Sequence, residues 1–201
     1  MNYLAHAFLA RATPELLTGG MLGDFVKGPL DARYPDAVRA GIALHRAIDV
    51  YTDRHPRVRA AHALISPARR RFAGILTDLF FDHFLARDWP RFADEPLEVF
   101  TAQVYATLWP QRATFPEKLQ RLLPWMRADD WLASYADIDA LDTALRGIAR
   151  RFRHPERATA LIGGAEELRS HYVALDAHFH AFLPDVQRFA RAHPASLSTA
   201  A

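Results

Sequence analysis

The stretch Asp36-Ala-Val-Arg-Ala-Gly-Ile-Ala-Leu-His45-Arg-Ala-Ile-Asp49-Val-Tyr-Thr-Asp53-Arg54 reads as a helix. Val38 and Ile42 begin an apolar row at i, i+4, and His45 and Asp49 continue it. Asp53 follows four residues later, each such step drifting by about 40° because a turn holds about 3.6 residues. Groups that bind a metal or move a proton therefore stand in a stripe where a core would carry Leu or Val.

Working outward, Tyr34-Pro35-Asp36 leads into this helix and His55-Pro56 closes it. Upstream, residues 2–10 read as a short helix capped by Asn2, and Thr13-Pro14 starts another that runs to about Val26. The pair Gly19-Gly20 inside it reads as close helix packing or a break rather than a phosphate loop. Downstream, a short helix is expected at 57–65, and Ser66-Pro67 is expected to cap a long one reaching Arg87. Further helices are expected at 97–108, 116–126, 137–151 and 165–192, with Pro124 and Pro184 as kinks or boundaries. Strand-like alternation, repeats and low-complexity segments are missing from the sequence. The reading is all-α: a single-domain bundle of seven or more helices over residues 1–193, followed by a flexible tail at 194–201.

Composition narrows the chemistry. At 201 residues, 50% hydrophobic and 24% charged, the chain suits one globular domain with a substantial core. A net charge of +2 gives no case for a nucleic-acid partner. With no cysteine, any metal must be held by nitrogen and oxygen. The start, Met-Asn-Tyr-Leu-Ala-His, has no basic n-region, and no apolar run approaches the roughly 20 residues of a membrane span, so a cytoplasmic location is expected. Gly-x-Ser-x-Gly and P-loop patterns are absent, which leaves serine-hydrolase and NTPase readings without support.

A second helix repeats the anomaly of the first: Asp78 and Asp82 stand at i, i+4, with His83 beside Asp82 near the apolar face. His6 in the first helix and Asp24 after the second add to the set. Taken singly, His6 reads as a hydrogen-bonded core histidine, Asp53 as a solvated helix end, and Asp49 as a partner of Arg46. Together, these sulfur-free donors suit a hydrolytic Mn²⁺, Mg²⁺, Fe²⁺ or Zn²⁺ site. Trp89, Trp109, Trp125 and Trp131 read as packing residues, and His171, His178 and His180 as packing or surface residues.

Several segments together carry a family resemblance. Met-Asn-Tyr-Leu-Ala-His at the start, Gly-Gly-Met-Leu-Gly-Asp-Phe-Val-Lys-Gly at 19–28, the segments 41–53 and 79–89 and, more loosely, 171–179 resemble the acyl-carrier-protein phosphodiesterases, or holo-ACP hydrolases. That family is regarded as a divergent relative of the HD-domain metal phosphohydrolases. The resemblance implies hydrolysis of the phosphodiester joining 4′-phosphopantetheine to a serine of acyl carrier protein, usually with Mn²⁺. An HD signature has His followed by Asp, whereas here Asp82 precedes His83 and a helical turn separates His45 from Asp49. Carried over by motif, Asp24, His45, Asp82 and His83, with His6 as a weaker member, are the expected metal ligands. Asp24, Asp49 and Asp78 are expected to orient groups or accept protons.

An acidic carrier calls for a basic docking face, expected at Arg69, Arg70 and Arg71 and at Arg54 and Arg57, with Arg150, Arg151 and Arg153 as a further cluster. Two other readings of the same residues stand beside this one. One is an HD-like phosphohydrolase acting on a nucleotide or another small phosphodiester. The other is a non-enzymatic helical module that binds an acidic protein.

Overall fold

Leu79 to Ala86 are buried without a break, and a helix buried all round has to be central. The structure, a computed structural model, describes residues 1–30 and 32–197. Its regular elements in that range are all helices: α1 (Tyr3–Leu9), α2 (Pro14–Leu22), α3 (Asp36–Arg54), α4 (Pro56–Leu64), α5 (Ala73–Arg87), α6 (Leu97–Leu108), α7 (Glu117–Ala128), α8 (Trp131–Ser134), α9 (Ile138–Arg150), α10 (Ala165–Ser170), α11 (Tyr172–Ala192) and α12 (Pro194–Leu197), with short 3₁₀ turns between some of them. None is long and apolar enough to cross a membrane.

Around α5 the core is aromatic. Phe81 lies 5.6 Å from Phe179 and 5.7 Å from Phe182, which knits α5 to α11. In contrast, α3 buries one face only, through Val38, Ile42, His45, Ile48 and Thr52, the helical stripe that its sequence announces. α2 crosses α3 at backbone contact. A Cβ on Gly19 would lie 2.2 Å from the Val38 carbonyl oxygen, and one on Gly41 would lie 2.4 Å from that of Leu16. Both positions must be glycine for the helices to meet.

Several boundaries differ from the sequence reading. The long helix starts at Ala73, not at Ser66, because Ser66 turns its amide and hydroxyl to the Glu167 carboxylate at 3.1 and 2.5 Å. Those bonds tie 66–72 to α10 instead of continuing a helix. The expected helix at 165–192 breaks at His171, while Pro184 and Pro124 both lie inside continuous helices. α2 ends at Leu22. The expected tail begins with helix α12, whose Ala195 is buried. The rest of that tail, 198–201, lies outside the described residues, as does residue 31.

Candidate metal centre

The glycine-mediated contact of α2 and α3 sets the first ligand. His45 Nδ1 lies 2.7 Å from the Gly20 carbonyl oxygen. A carbonyl only accepts, so Nδ1 carries the proton and Nε2 turns to the opposite side. There it stands 3.2 Å from Asp49 Oδ2, one helical turn along α3, and 3.7 Å from Asp24 Oδ1 in the segment after α2. Gly23 backs the imidazole so closely that a Cβ there would lie 2.1 Å from His45 Cγ.

His6 arrives from α1 and stacks on His45, ring centroids 3.6 Å apart at 18°. Its Nε2 lies 3.1 Å from Asp49 Oδ1, so two imidazoles converge on one carboxylate. Arg46 takes no part, since it donates to the Val26 carbonyl oxygen at 2.7 Å. Ligand atoms of His6, His45 and Asp49 all lie within 4.8 Å of one another. Both histidines are almost fully buried, whereas Asp24 and Asp49 are about half-exposed and open the cluster to solvent.

Electrostatics drive the two imidazoles apart. Burial lowers the His6 pKa to about 4, the field of His45 adding to it against the pull of Asp49. Burial also opposes charging of His45, but its bonds to Asp24 and Asp49 override that and raise it to about 9. Both carboxylates are held below their usual range, since the imidazole bonds outweigh the burial that would push them up. Without a metal, a proton on His45 neutralises part of this cluster. The donor set, two imidazole nitrogens and carboxylate oxygens with no sulfur, fits a divalent ion of the Mn²⁺, Mg²⁺, Fe²⁺ or Zn²⁺ class in place of that proton. The carbonyl behind His45 is the usual support for a ligand imidazole.

The acidic residues of α5 do other work. Asp82 is wholly buried and accepts the Leu4 and Ala5 amides at 2.8 and 3.2 Å, capping α1 from another helix. Asn2, the cap expected from sequence, makes no side-chain cap bond. Burial pushes the Asp82 carboxyl up to about 7 against the pull of these amides. His83 spends Nδ1 on the Tyr135 carbonyl at 2.8 Å and Nε2 on the Tyr172 hydroxyl at 2.9 Å. Expected as ligands, Asp82 and His83 are thus outside the donor cluster, with every ligand atom already engaged. Asp82 still matters, because the turn it caps presents His6. Asp78 accepts from the Met1 amino nitrogen at 2.7 Å and faces the cleft.

That cleft is a cavity of about 550 Å³ over the cluster, lined among others by Asp24, Asp49, Asp53, Asp78, Lys118 and Arg151. Asp53, read as a solvated helix end, is exposed and also faces the cleft. Lys118 gave no signal in the sequence, since nothing in the pattern of α7 tells which helix end it meets. The basic clusters separate. Arg69 is bound to Glu167 and to the Ala160 and Ile162 carbonyls, Arg70 to Ile65, and Arg71 to Arg157, all within the chain. Arg54 and Arg57 are exposed at the α3–α4 junction. A second group of donors, Asp88, Asp176 and His180, is filled by the Arg87 guanidinium, which bonds both carboxylates.

The family model described as acyl carrier protein phosphodiesterase matches residues 1–186, which include the whole cluster and cleft. The chain belongs to this family. Relatives named acyl carrier protein phosphodiesterase include one from Photorhabdus laumondii, 38% identical over 185 residues and 92% of each chain. Another, from Serratia proteamaculans, is 38% identical over 194 residues, covering 95% of this chain and 98% of the relative. A third, from Escherichia coli O6:H1, is 37% identical over 92% of this chain and 94% of its own. No solved structure matches the chain. The acyl carrier protein phosphodiesterase family comprises hydrolases of phosphodiester bonds, and this chain is such an enzyme.

Proposed function

We propose that the cleft hydrolyses the phosphodiester between 4′-phosphopantetheine and a serine of acyl carrier protein, releasing the apo carrier, and that it does so in the cytoplasm with a divalent metal, Mn²⁺ in the first instance. The observation that carries the metal reading is the convergence of His6 Nε2, His45 Nε2 and both Asp49 oxygens at the floor of an open cleft. His6, His45 and Asp49 would hold the ion, and Asp24 stands beside them. When bound, such an ion neutralises the anionic phosphate oxygens and makes a water nucleophilic near neutral pH.

The chain's own groups account for the remaining requirements. Arg151 and Lys118 are cationic side chains that line the acidic cleft, and they bring positive charge to the phosphate. Asp24, half-exposed beside these ligands, accepts a proton from the attacking water. The water oxygen bonds to phosphorus, the bond to the serine oxygen breaks, and that oxygen leaves on the carrier as a hydroxyl, taking up a proton from solvent while Asp24 releases its own to solvent. Asp82 acts at a distance, by fixing the α1 turn that carries His6.

Incubation with holo-acyl carrier protein and Mn²⁺, followed by intact mass, tests this reading. The carrier should lose the mass of 4′-phosphopantetheine, and chelation of the metal should stop the loss. The rate should also fall as salt rises, since an acidic carrier docks on exposed cations such as Arg54, Arg57 and Arg150. An unchanged carrier alongside cleavage of a small phosphodiester would favour a nucleotide or other small substrate. Purified protein without metal or turnover would favour a binding module.

A further inference from the structure

Beside the acidic cleft lies a second cavity of about 820 Å³, inside the ~300–1,000 Å³ range of small-molecule sites. The two are contiguous: Asn2, Tyr3, Ile148 and Arg151 line both. They differ in chemistry. The cleft is ringed by carboxylates, whereas the second cavity has mostly apolar walls, Leu122, Trp131, Ala144 and Ile148 among them, with Asn2, Asp129, Ser134 and Thr143 as polar groups. Arg151 stands at the junction. Its guanidinium lies 5.8 Å over the Trp131 ring, and no salt bridge holds it among the described residues. The exposed Arg146 and Arg150 flank the same cavity.

We propose that this second cavity binds the pantetheine arm of the substrate, with Arg151 holding the phosphate at its entrance. The inference rests on the phosphodiester reading above and adds where each substituent of phosphorus goes. One substituent is a serine on a folded protein, too large to enter a cavity. The other is a slender chain with methyl groups, two amides and a terminal thiol. Only the chain fits a mostly apolar cavity with a few polar groups. The carrier then remains outside, where Arg146 and Arg150 meet its acidic surface. Trp131, read from sequence as a packing residue, becomes both a wall for the arm and a platform for the cation at the phosphate. Walling the arm in apolar surface makes the enzyme specific for phosphodiesters that carry it.

Binding measured by calorimetry on the Mn²⁺-loaded protein tests this, with free 4′-phosphopantetheine and inorganic phosphate as probes. The intact protein should bind 4′-phosphopantetheine at least tenfold more tightly than phosphate. Ala144→Phe, which puts an aromatic ring in the path of the arm, should abolish that preference while leaving phosphate affinity within twofold. Tryptophan fluorescence gives a second readout that does not rely on that substitution. 4′-Phosphopantetheine but not phosphate should change the emission, and Trp131→Phe should remove the change. Equal affinity for the two probes, a preference that survives Ala144→Phe, or a response that survives Trp131→Phe would each overturn the proposal. The phosphodiester reading fails separately: holo carrier unchanged in mass while the arm preference and its loss in Ala144→Phe persist would leave the cavity assignment standing and remove the reaction.

Discussion

Gly23→Ala is the smallest change that reaches the metal centre. Gly23 has φ −52° and ψ −40°, so its backbone accepts alanine, and helix propensity alone would favour the substitution by up to ~1 kcal/mol. The obstacle is the imidazole behind it. The new Cβ would lie 2.1 Å from His45 Cγ, 2.3 Å from Cδ2 and 2.6 Å from Nδ1. Carbon atoms settle at roughly 3.5–4.0 Å, so the ring has to retreat by about 1.4 Å or more. That movement breaks the bond from Nδ1 to the Gly20 carbonyl and pulls Nε2 away from Asp49. Losing the support of a ligand histidine typically costs about 10–100-fold in metal affinity, and a 1 Å misplacement costs about 10²-fold in rate. The expected result is Mn²⁺ affinity lowered about 10–100-fold and kcat/KM on holo carrier lowered about 10²-fold, with helical circular dichroism retained. Gly74→Ala, where no atom lies within 4 Å of the added methyl, is the control and should change neither value. Calorimetric Mn²⁺ titration and carrier turnover on the two variants decide it. A Gly23→Ala enzyme with the affinity and turnover of the parent would refute the placement of His45 in the centre.

Other expectations follow from the same geometry. Asp82→Asn offers one acceptor oxygen to two buried amides and should cost about 1–3 kcal/mol in urea unfolding; unchanged stability would mean that α1 does not depend on this cap. Arg69→Ala removes the cation from the nearly buried Glu167 and should destabilise by about 2–3 kcal/mol without altering the salt dependence of KM, whereas a pure KM effect would restore Arg69 to a docking role. In the metal-free protein His45 is raised to about 9 from 6.5. Its contribution is complete below pH 6.5 and is lost as pH rises toward 9. It amounts to at most about 3 kcal/mol, less what solvent screens at the half-exposed Asp24 and Asp49. Thermal scans of metal-free protein should therefore show this alkaline loss in the parent and a flatter profile in His45→Gln; parallel profiles would contradict the His45–carboxylate bonds.

How far the sequence could be read depends on which partner a residue needs. The stripe Val38, Ile42, His45, Asp49 was legible because its members are neighbours on one helix, and α3 runs from Asp36 to Arg54 as its punctuation demands. The same logic put Asp78 and Asp82 beside the apolar face of α5 and His83 close to it, and all three are at least partly buried. Helical spacing does not say what lies opposite. Asp82 faces the start of α1, His83 faces Tyr135 and Tyr172, and both satisfy their burial without a metal. His6, the weaker candidate from sequence, is the one that joins His45 at Asp49.

By itself, then, the sequence determined an all-helical chain, the helix that carries His45 and Asp49, the nitrogen-and-oxygen chemistry that an absence of cysteine enforces, and the family. These are local: they depend on periodicity, on cap and proline signals, and on residue type. The tertiary structure decided which imidazole pairs with His45, why Gly19, Gly23 and Gly41 carry no side chain, and which cavity adjoins the acidic cleft. Those are relations between residues of distant helices, fixed by how closely two backbones can approach and by which buried groups must find partners. Nothing in the order of residues along one helix encodes them.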